Sequence, residues 1–295
     1  MKKIILITLS ISLFVEGDYL VHPKSQALID ELVTNHGFEQ SFVEDVLSNA
    51  VRQQKIIDSI SKPAEFTWTW DRYKKLFIED KRIINGKLFI QNNLQTLERA
   101  EKEFGVPKEV ITAILGVETR YGKIQGSYRV IDSLLTLGFD YPRRAKFFRK
   151  ELVDFFLLTR ENDLNINEIK GSYAGAMGYG QFISSSYRAY AIDYDGDGYA
   201  DLFSSVDDAI GSIANYLYIH GWKKEGQIIH DAYPNNVRKV FKPNKNLSKY
   251  IPLSFNEGGK DIYFIGDDNF IAITKYNVSH FYAMAIYYLS EELKK

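Results

Sequence analysis

Along most of the chain, apolar residues return every three or four positions, and these stretches are separated by short runs rich in glycine, aspartate and proline. The first spacing is that of a helix with one buried face, and the second marks turns. Helical spacing dominates residues 22–104, with Gly37 and Gly105 placed as C-terminal stops and Ser41 and Glu44 spaced as a capping box. Val106 and Pro107 open a further helix ending at Gly122: proline in the first turn gives up no hydrogen bond, and glycine tolerates a left-handed stop. Pro142 suits the start of another helix over residues 143–159, where Phe147, Leu152 and Phe155 recur at helical intervals. Residues 208–220 read as a helix closed by Gly221. The helical period then fades over residues 223–275. There, residues 261–265, a turn at 266–269 and residues 270–274 spell a β-hairpin. Residues 279–293 return to an amphipathic helix. The chain is therefore expected to be mainly α (α+β), with a small antiparallel β subdomain inserted late.

One residue breaks the pattern. Ile111, Ile114 and Leu115 lie seven, four and three positions before Glu118 and share its helical face. A carboxylate there points at the core or at a cleft. Burial without a basic partner would favour its neutral form and suit a general acid, whereas pairing with Arg120 would make it a structural ion; both readings stay open.

Two further segments carry chemistry. Residues 171–182 read GSYAGAMGYGQF, in which four glycines interleaved with Ala174 and Ala176 allow backbone to approach backbone or ligand closely, as in a loop lining a cleft. Gln181, between Gly180 and Phe182, needs hydrogen-bond partners in so tight a loop. Asp193, Asp195 and Asp197, then Gly198 and Tyr199, match the first half of an EF-hand calcium loop, with Tyr199 offering its backbone carbonyl. Position twelve of that loop is Ser204, so the usual bidentate glutamate is missing; Asp207 and Asp208 are the available substitutes.

Composition narrows the rest. A formal charge of −1 over 295 residues gives no general attraction to nucleic acid or anionic membrane. The absence of cysteine excludes disulfides, thiol catalysis, cysteine metal sites and a lipidated N-terminal cysteine. Lys2 and Lys3 precede an apolar run, residues 4–15, that is too short to span a bilayer; the pattern is that of a secretory leader cleaved after Gly17, with an uncleaved anchor as the alternative. No later stretch reaches the length of a membrane span, so a soluble mature protein is expected.

The motifs GVETRYG, YPRRAKFF, GSYAGAMGYGQF, DGDG with DAIGSIANYL and HGW, and TKYNVSHFYAMAI resemble, in order and spacing, the membrane-bound lytic murein transglycosylase B family. The resemblance runs from about Trp70 to the final helix. It implies a lysozyme-like core held by a helical domain and a small β domain. With it, the expected divisions are a leader (1–17), an N-terminal helical domain (18–105), the catalytic core with its EF-hand-like loop (106–206), a helix returning to the helical domain (207–222), the β subdomain (223–275) and a C-terminal helix (276–295). Glu118 corresponds to the family's sole catalytic acid/base. Ser172 and Gln181 match cleft-lining positions, and Tyr73, Arg143, Arg144, Tyr216, Tyr276, Asn277 and Tyr282 match positions that contact sugar rings, acetamido groups or the peptide-bearing muramyl unit. Asp193, Asp195, Asp197 and Tyr199, with Asp208 favoured over Asp207 as last ligand, match a structural Ca2+ site; no organic cofactor is implied.

Most glycosidases use two carboxyl groups, and here the motif supplies one. The resemblance implies how one suffices: the β-1,4 bond between N-acetylmuramic acid and N-acetylglucosamine breaks, and the muramyl C6 hydroxyl closes onto C1 as a 1,6-anhydro ring. A lysozyme-like hydrolase and a non-catalytic peptidoglycan-binding protein are the alternatives. The expected partners are peptidoglycan glycan strands and cell-wall synthesis enzymes, with no nucleic acid; the expected state is a monomeric, unlipidated periplasmic protein.

Overall fold

The computed structural model describes residues 19–61, 68–232 and 250–295; the expected leader lies outside the described residues. After a 3-10 turn at Tyr19–Val21 come α1 (Ser25–His36), α2 (Gln40–Asn49), α3 (Gln54–Ser61), α4 (Trp70–Phe77), α5 (Asp80–Asn92) and α6 (Leu94–Phe104). Then follow α7 (Lys108–Thr119), β1 (Tyr128–Arg129), α8 (Val130–Asp140), a 3-10 turn at Pro142–Arg144, α9 (Ala145–Glu161), β2 (Lys170–Gly171), α10 (Ser184–Tyr190) and α11 (Val206–Ile219). The chain closes with β3 (Ile229–Asp231), β4 (Ile251–Glu257), β5 (Lys260–Gly266), α12 (Asp268–Tyr276) and α13 (His280–Lys294).

Everything is arranged around α7. Val110, Ile111, Ala113, Ile114 and Leu115 are all at most 2% exposed, which marks a helix buried nearly all round rather than on one stripe. It packs lengthwise against α13 and is flanked by α5, α6 and α11. α8 lies on α9, and α3 and α1 pack on α8 and α9 respectively. The 3-10 turn before α1 is tied there too, because Tyr19 Oη donates to Asp140 Oδ2 at 2.9 Å. No helix among the described residues is long and apolar enough to cross a membrane.

Gly37 and Gly105 cap α1 and α6 in the left-handed region, at φ 66° and 72°, as their placement suggests. The capping box is not made. α2 begins at Gln40, which leaves Ser41 inside the first turn, where its backbone is helical and cannot cap. Glu44 instead accepts from Gln40 Nε2 at 2.7 Å.

The β subdomain also differs from expectation. Its hairpin is β4 with β5, antiparallel in a sheet ordered β3-β5-β4 and joined by Gly258 and Gly259 at φ 59° and 80°. What reads as the second hairpin strand is α12. A five-residue apolar run carries no period that separates strand from helix. The deciding contact is local: the Asp267 side chain accepts from Asp268 N at 2.7 Å and starts a helix that buries Phe270, Ala272 and Ile273. The missed strand had its own signal, since Leu253 and Phe255 are buried while Ser254 and Asn256 are exposed.

Candidate active site

Glu118 occupies the last turn of α7, partly exposed, while Ile111, Ile114 and Leu115 on its face are fully buried. The carboxylate therefore stands at the edge of the core, where solvent reaches it. Arg120, one of the partners considered for it, instead places Nη1 3.2 Å from Glu79 Oε1.

The end of α7 is a tight hook. Arg120, Tyr121 and Gly122 adopt φ of 52°, 63° and 83°, so the helix stops before Gly122, the stop expected from the sequence. The amides of Arg120 and Tyr121 donate back to the carbonyls of Gly116 and Leu115 at 3.2 and 3.0 Å. Two non-glycine residues in the left-handed region are uncommon and persist only where surrounding contacts hold them. Thr119, which sequence reasoning passed over, supplies one such contact: buried, it donates from Oγ1 to Tyr179 O at 2.8 Å and accepts from Gly122 N at 2.9 Å. It thereby fastens the hook to the glycine-rich loop. A side chain at Gly122 would begin 1.9 Å from Tyr179 Cε1, so only glycine fits there.

The glycine-rich loop is held from inside. Ser172 Oγ accepts from the amides of Ala174 and Ala176 at 3.3 and 3.0 Å. Gln181, itself at φ 51°, donates from Nε2 to the carbonyls of Gly178 and Gln125, both at 3.0 Å. Gln125, another residue not singled out beforehand, donates to Phe203 O at 3.1 Å and extends the brace to the acidic loop's far side.

Opposite the hook stands a ladder of tyrosines. Tyr282, 2% exposed on α13, donates its hydroxyl to Glu118 Oε1 at 2.6 Å. The Tyr276 ring stacks parallel on it, 6.5 Å between centroids and 6° between planes, and its hydroxyl donates to Gly180 O in the loop. Burial, reinforced by the Glu118 charge, pushes both phenols well above their ordinary range, so they remain donors. Glu118 is the charge that acts on both. Tyr216 continues the row, 4.9 Å from Tyr276 and stacked at 4.0 Å on His220, with its hydroxyl donating to Lys275 O at 2.6 Å. Tyr73, 2% exposed, packs between Trp70 and Phe77, and its hydroxyl is felt by Tyr282.

Other expected site residues stand further out. Asn277 caps α12 and accepts from Ser279 N at 3.0 Å through Oδ1. Arg143 and Arg144 lie exposed on the 3-10 turn before α9, where Arg144 stacks over Phe147 at 4.3 Å.

Asp193, Asp195 and Asp197 bring carboxylate oxygens within 4.8 Å of one another, exposed to solvent. Gly196 and Gly198, at φ 83° and 101°, turn the loop so that their amides donate to the two Asp193 oxygens at 2.6 and 2.8 Å. Three like charges this close, in an all-oxygen set, fit a hard divalent cation. Asp208 is not part of that cluster. Fully buried, it accepts from the amides of Tyr194, Asp195 and Asp201 at 2.6, 3.1 and 2.7 Å, so it shapes the loop from beneath. Asp207 is engaged by Thr96 Oγ1 at 2.5 Å.

Comparison with known proteins now bears on this geometry. The family model described as Transglycosylase SLT domain matches residues 21–291. The chain is 38% identical over 303 residues to membrane-bound lytic murein transglycosylase B of Escherichia coli (strain K12), covering 93% of this chain and 84% of that protein. Among solved structures it is similar to soluble lytic transglycosylase SltB1 from Pseudomonas aeruginosa, 40% identical, with a TM-score of 0.85 over 92% of this chain and 98% of that one. It is likewise similar to the Escherichia coli lytic transglycosylase Slt35 solved in complex with calcium, 37% identical, with a TM-score of 0.85 over 95% of each chain. The mainly helical, lysozyme-like fold implied by the motifs is the fold of these neighbours. Together the matched span and this identity show that the chain belongs to the SLT-domain transglycosylase family.

Proposed function

We infer that this chain is a peptidoglycan lytic transglycosylase: it cleaves the β-1,4 bond between N-acetylmuramic acid and N-acetylglucosamine and leaves a 1,6-anhydromuramyl end. The observation that carries the reading is Glu118, a partly exposed carboxylate at the end of α7 that accepts from a buried tyrosine hydroxyl at 2.6 Å and is the one carboxyl group its motif supplies. Retaining and inverting hydrolases need a second carboxyl group about 5–10 Å away as nucleophile or base. A lone acid suits a substrate that carries its own nucleophile.

In the first step, the protonated Glu118 carboxyl gives its proton to the glycosidic oxygen as the C1–O4 bond breaks, and the N-acetylglucosamine side leaves as an alcohol. In the second, the muramyl C6 oxygen bonds to C1 and its proton passes to the Glu118 carboxylate, which restores the acid. No water is consumed. Tyr282 fixes the orientation of the carboxyl group through Oε1, and the locked loop keeps the opposite wall of the cleft in place. Ser172, Gln181 and Asn277 orient the acetamido group, Tyr216 and Tyr276 face the sugar rings with buried Tyr73 backing Tyr282 from within the core, and Arg143 and Arg144 meet lactyl or stem-peptide carboxylates.

The acidic loop is read as a structural Ca2+ site held by Asp193, Asp195, Asp197 and the Tyr199 carbonyl, with Asp208 shaping the loop rather than ligating. When bound, the ion neutralises three like charges and fastens the loop between α10 and α11. Residues 106–206 act as the catalytic core, with the helical segment before it and the β subdomain after it as its supports. A leader cleaved after Gly17 delivers the chain to the periplasm, where glycan strands and cell-wall synthesis enzymes are its partners.

The test is product analysis on intact murein sacculi. Wild-type protein releases muropeptides one water lighter than reducing-end products, and Glu118→Gln releases none while keeping its fold and its affinity for glycan strands. Reducing ends from the wild type, or full activity in the variant, overturns the assignment.

A further inference from the structure

A pocket of about 530 Å³ opens between α9, α10 and α11, lined by Lys150, Asp154, Arg188, Tyr190, Tyr216 and His220. That is the size of a small-ligand site. One wall is aromatic: Tyr190 stands edge-on to Tyr216 and His220, at 5.0 and 4.9 Å between ring centroids. Tyr216 is also the third ring of the row that begins with Tyr282 on Glu118 and passes through Tyr276. The pocket therefore shares a side chain with the row that leads from the catalytic carboxyl.

The rest of the lining is charged. Arg188 is held as a fork, its Nε and Nη2 donating to the two Glu161 oxygens at 2.8 Å and its Nη1 to Asp154 Oδ1. Its guanidinium is thus committed to protein carboxylates and serves as a fixed part of the wall. Asp154, with its side chain 14% exposed, gives Oδ1 to that fork, while Oδ2 accepts no hydrogen bond among the described residues. Lys150, one helical turn earlier on α9, is exposed and forms no ion pair among the described residues. One open carboxylate oxygen and one open ammonium group therefore line the same pocket.

The helix face that carries them leads back to the expected substrate arginines. Phe147, Lys150 and Asp154 follow one another at steps of three and four, a single stripe about 10 Å long. The Arg144 guanidinium lies over Phe147 at 4.3 Å, at the head of that stripe. A peptide whose carboxylate meets Arg144 can run along α9 and end in the pocket. Sugar rings offer hydroxyl and acetamido groups; an open acid beside an open base is matched by a ligand that carries an ammonium and a carboxylate together.

Resting on the reading of this chain as a peptidoglycan transglycosylase, we propose that the pocket binds the stem peptide at a residue with a free ammonium and a free carboxylate, the ammonium on Asp154 Oδ2 and the carboxylate on Lys150 Nζ. Tyr190 and His220 form the wall along that residue's hydrocarbon chain. Lys150 and Asp154 are then specificity residues that favour strands still bearing peptide over bare glycan.

The experiment measures kcat and KM on two preparations of the same glycan strands, one bearing stem peptides with free amines and carboxylates, the other stripped of peptide by an amidase. Lys150→Glu, at an exposed position, raises KM about 5-fold on the peptide-bearing strands, leaves kcat there near the wild-type value and changes nothing on bare strands. Asp154→Asn does the same. Acetylating the peptide amines then gives the wild type that raised KM, and Asp154→Asn adds nothing to it. If Asp154→Asn does not fold once Arg188 is loosened, Lys150→Glu and the acetylated strands carry the test. An equal loss on both kinds of strand, or no loss on either, overturns the proposal. So does inhibition of bare-strand cleavage by a free diamino acid, which would mark a site for a small amino acid instead. Cosedimentation with the two kinds of strand reads the same preference without turnover, so reducing ends or a lack of cleavage would sink the transglycosylase reading separately.

Discussion

Tyr282 donates its hydroxyl proton to Glu118 Oε1 across 2.6 Å, and the donor is buried while the acceptor borders the cleft. A hydrogen bond to a charged group contributes about 1.5–3 kcal/mol, and here it favours the ionised carboxylate. Tyr282→Phe keeps the ring and its stacking on Tyr276 but removes that donor. We expect it to slow strand cleavage about 10-fold or more and to move the alkaline limb of kcat/KM upward, because the acid form is then easier to keep. A pH–rate series on the variant checks both.

The acidic loop gives a second expectation. Calcium added to EDTA-treated protein should release heat in a titration and raise Tm; a ligand at about 100 times its Kd adds about 2.7 kcal/mol of stability. Asp193→Ala, which removes both the loop's first carboxylate and the acceptor for the amides of Gly196 and Gly198, should abolish the heat and the shift together.

Glu151 supplies a stability test away from the cleft. It is 3% exposed, and burial raises its carboxyl above the usual range, partly offset by donation from Ser185 N and Oγ at 2.9 and 2.8 Å. A raised folded-state pKa means that the folded protein binds the proton more tightly than the unfolded chain. This group's contribution therefore weakens as pH rises from the ordinary glutamate range through the raised value, then stays constant. Glu151→Gln accepts and donates at the same two Ser185 groups without a charge to bury. Its Tm should exceed that of the wild type at pH 7 and converge with it near pH 4, as read by thermal melts across that range.

What could be read from the chain alone was what is local in it. Gly37 and Gly105 announced helix ends because a left-handed cap is a property of one residue, and both caps are there. Glu118 stood out because three neighbours on its own helix betrayed it. Thr119 and Gln125 did not, because their partners lie 60 and 78 residues away and nothing nearby distinguishes a bracing side chain from a solvated one. The capping box and the second hairpin strand misled for the opposite reason: each is a valid local pattern that a neighbouring contact overrode, Gln40 to Glu44 in one case and the Asp267 cap in the other.

The partner of Glu118 is 164 residues further along the chain, on the last helix, and that helix covers one whole side of α7. A chain still being made, or one cut short before His280, holds every residue of the GVETRYG and glycine-rich motifs yet lacks the group that orients the acid and the surface that shields its helix. A chain ending before His280 is therefore expected to cut glycan strands far more slowly than the full chain, as a truncation assay would read.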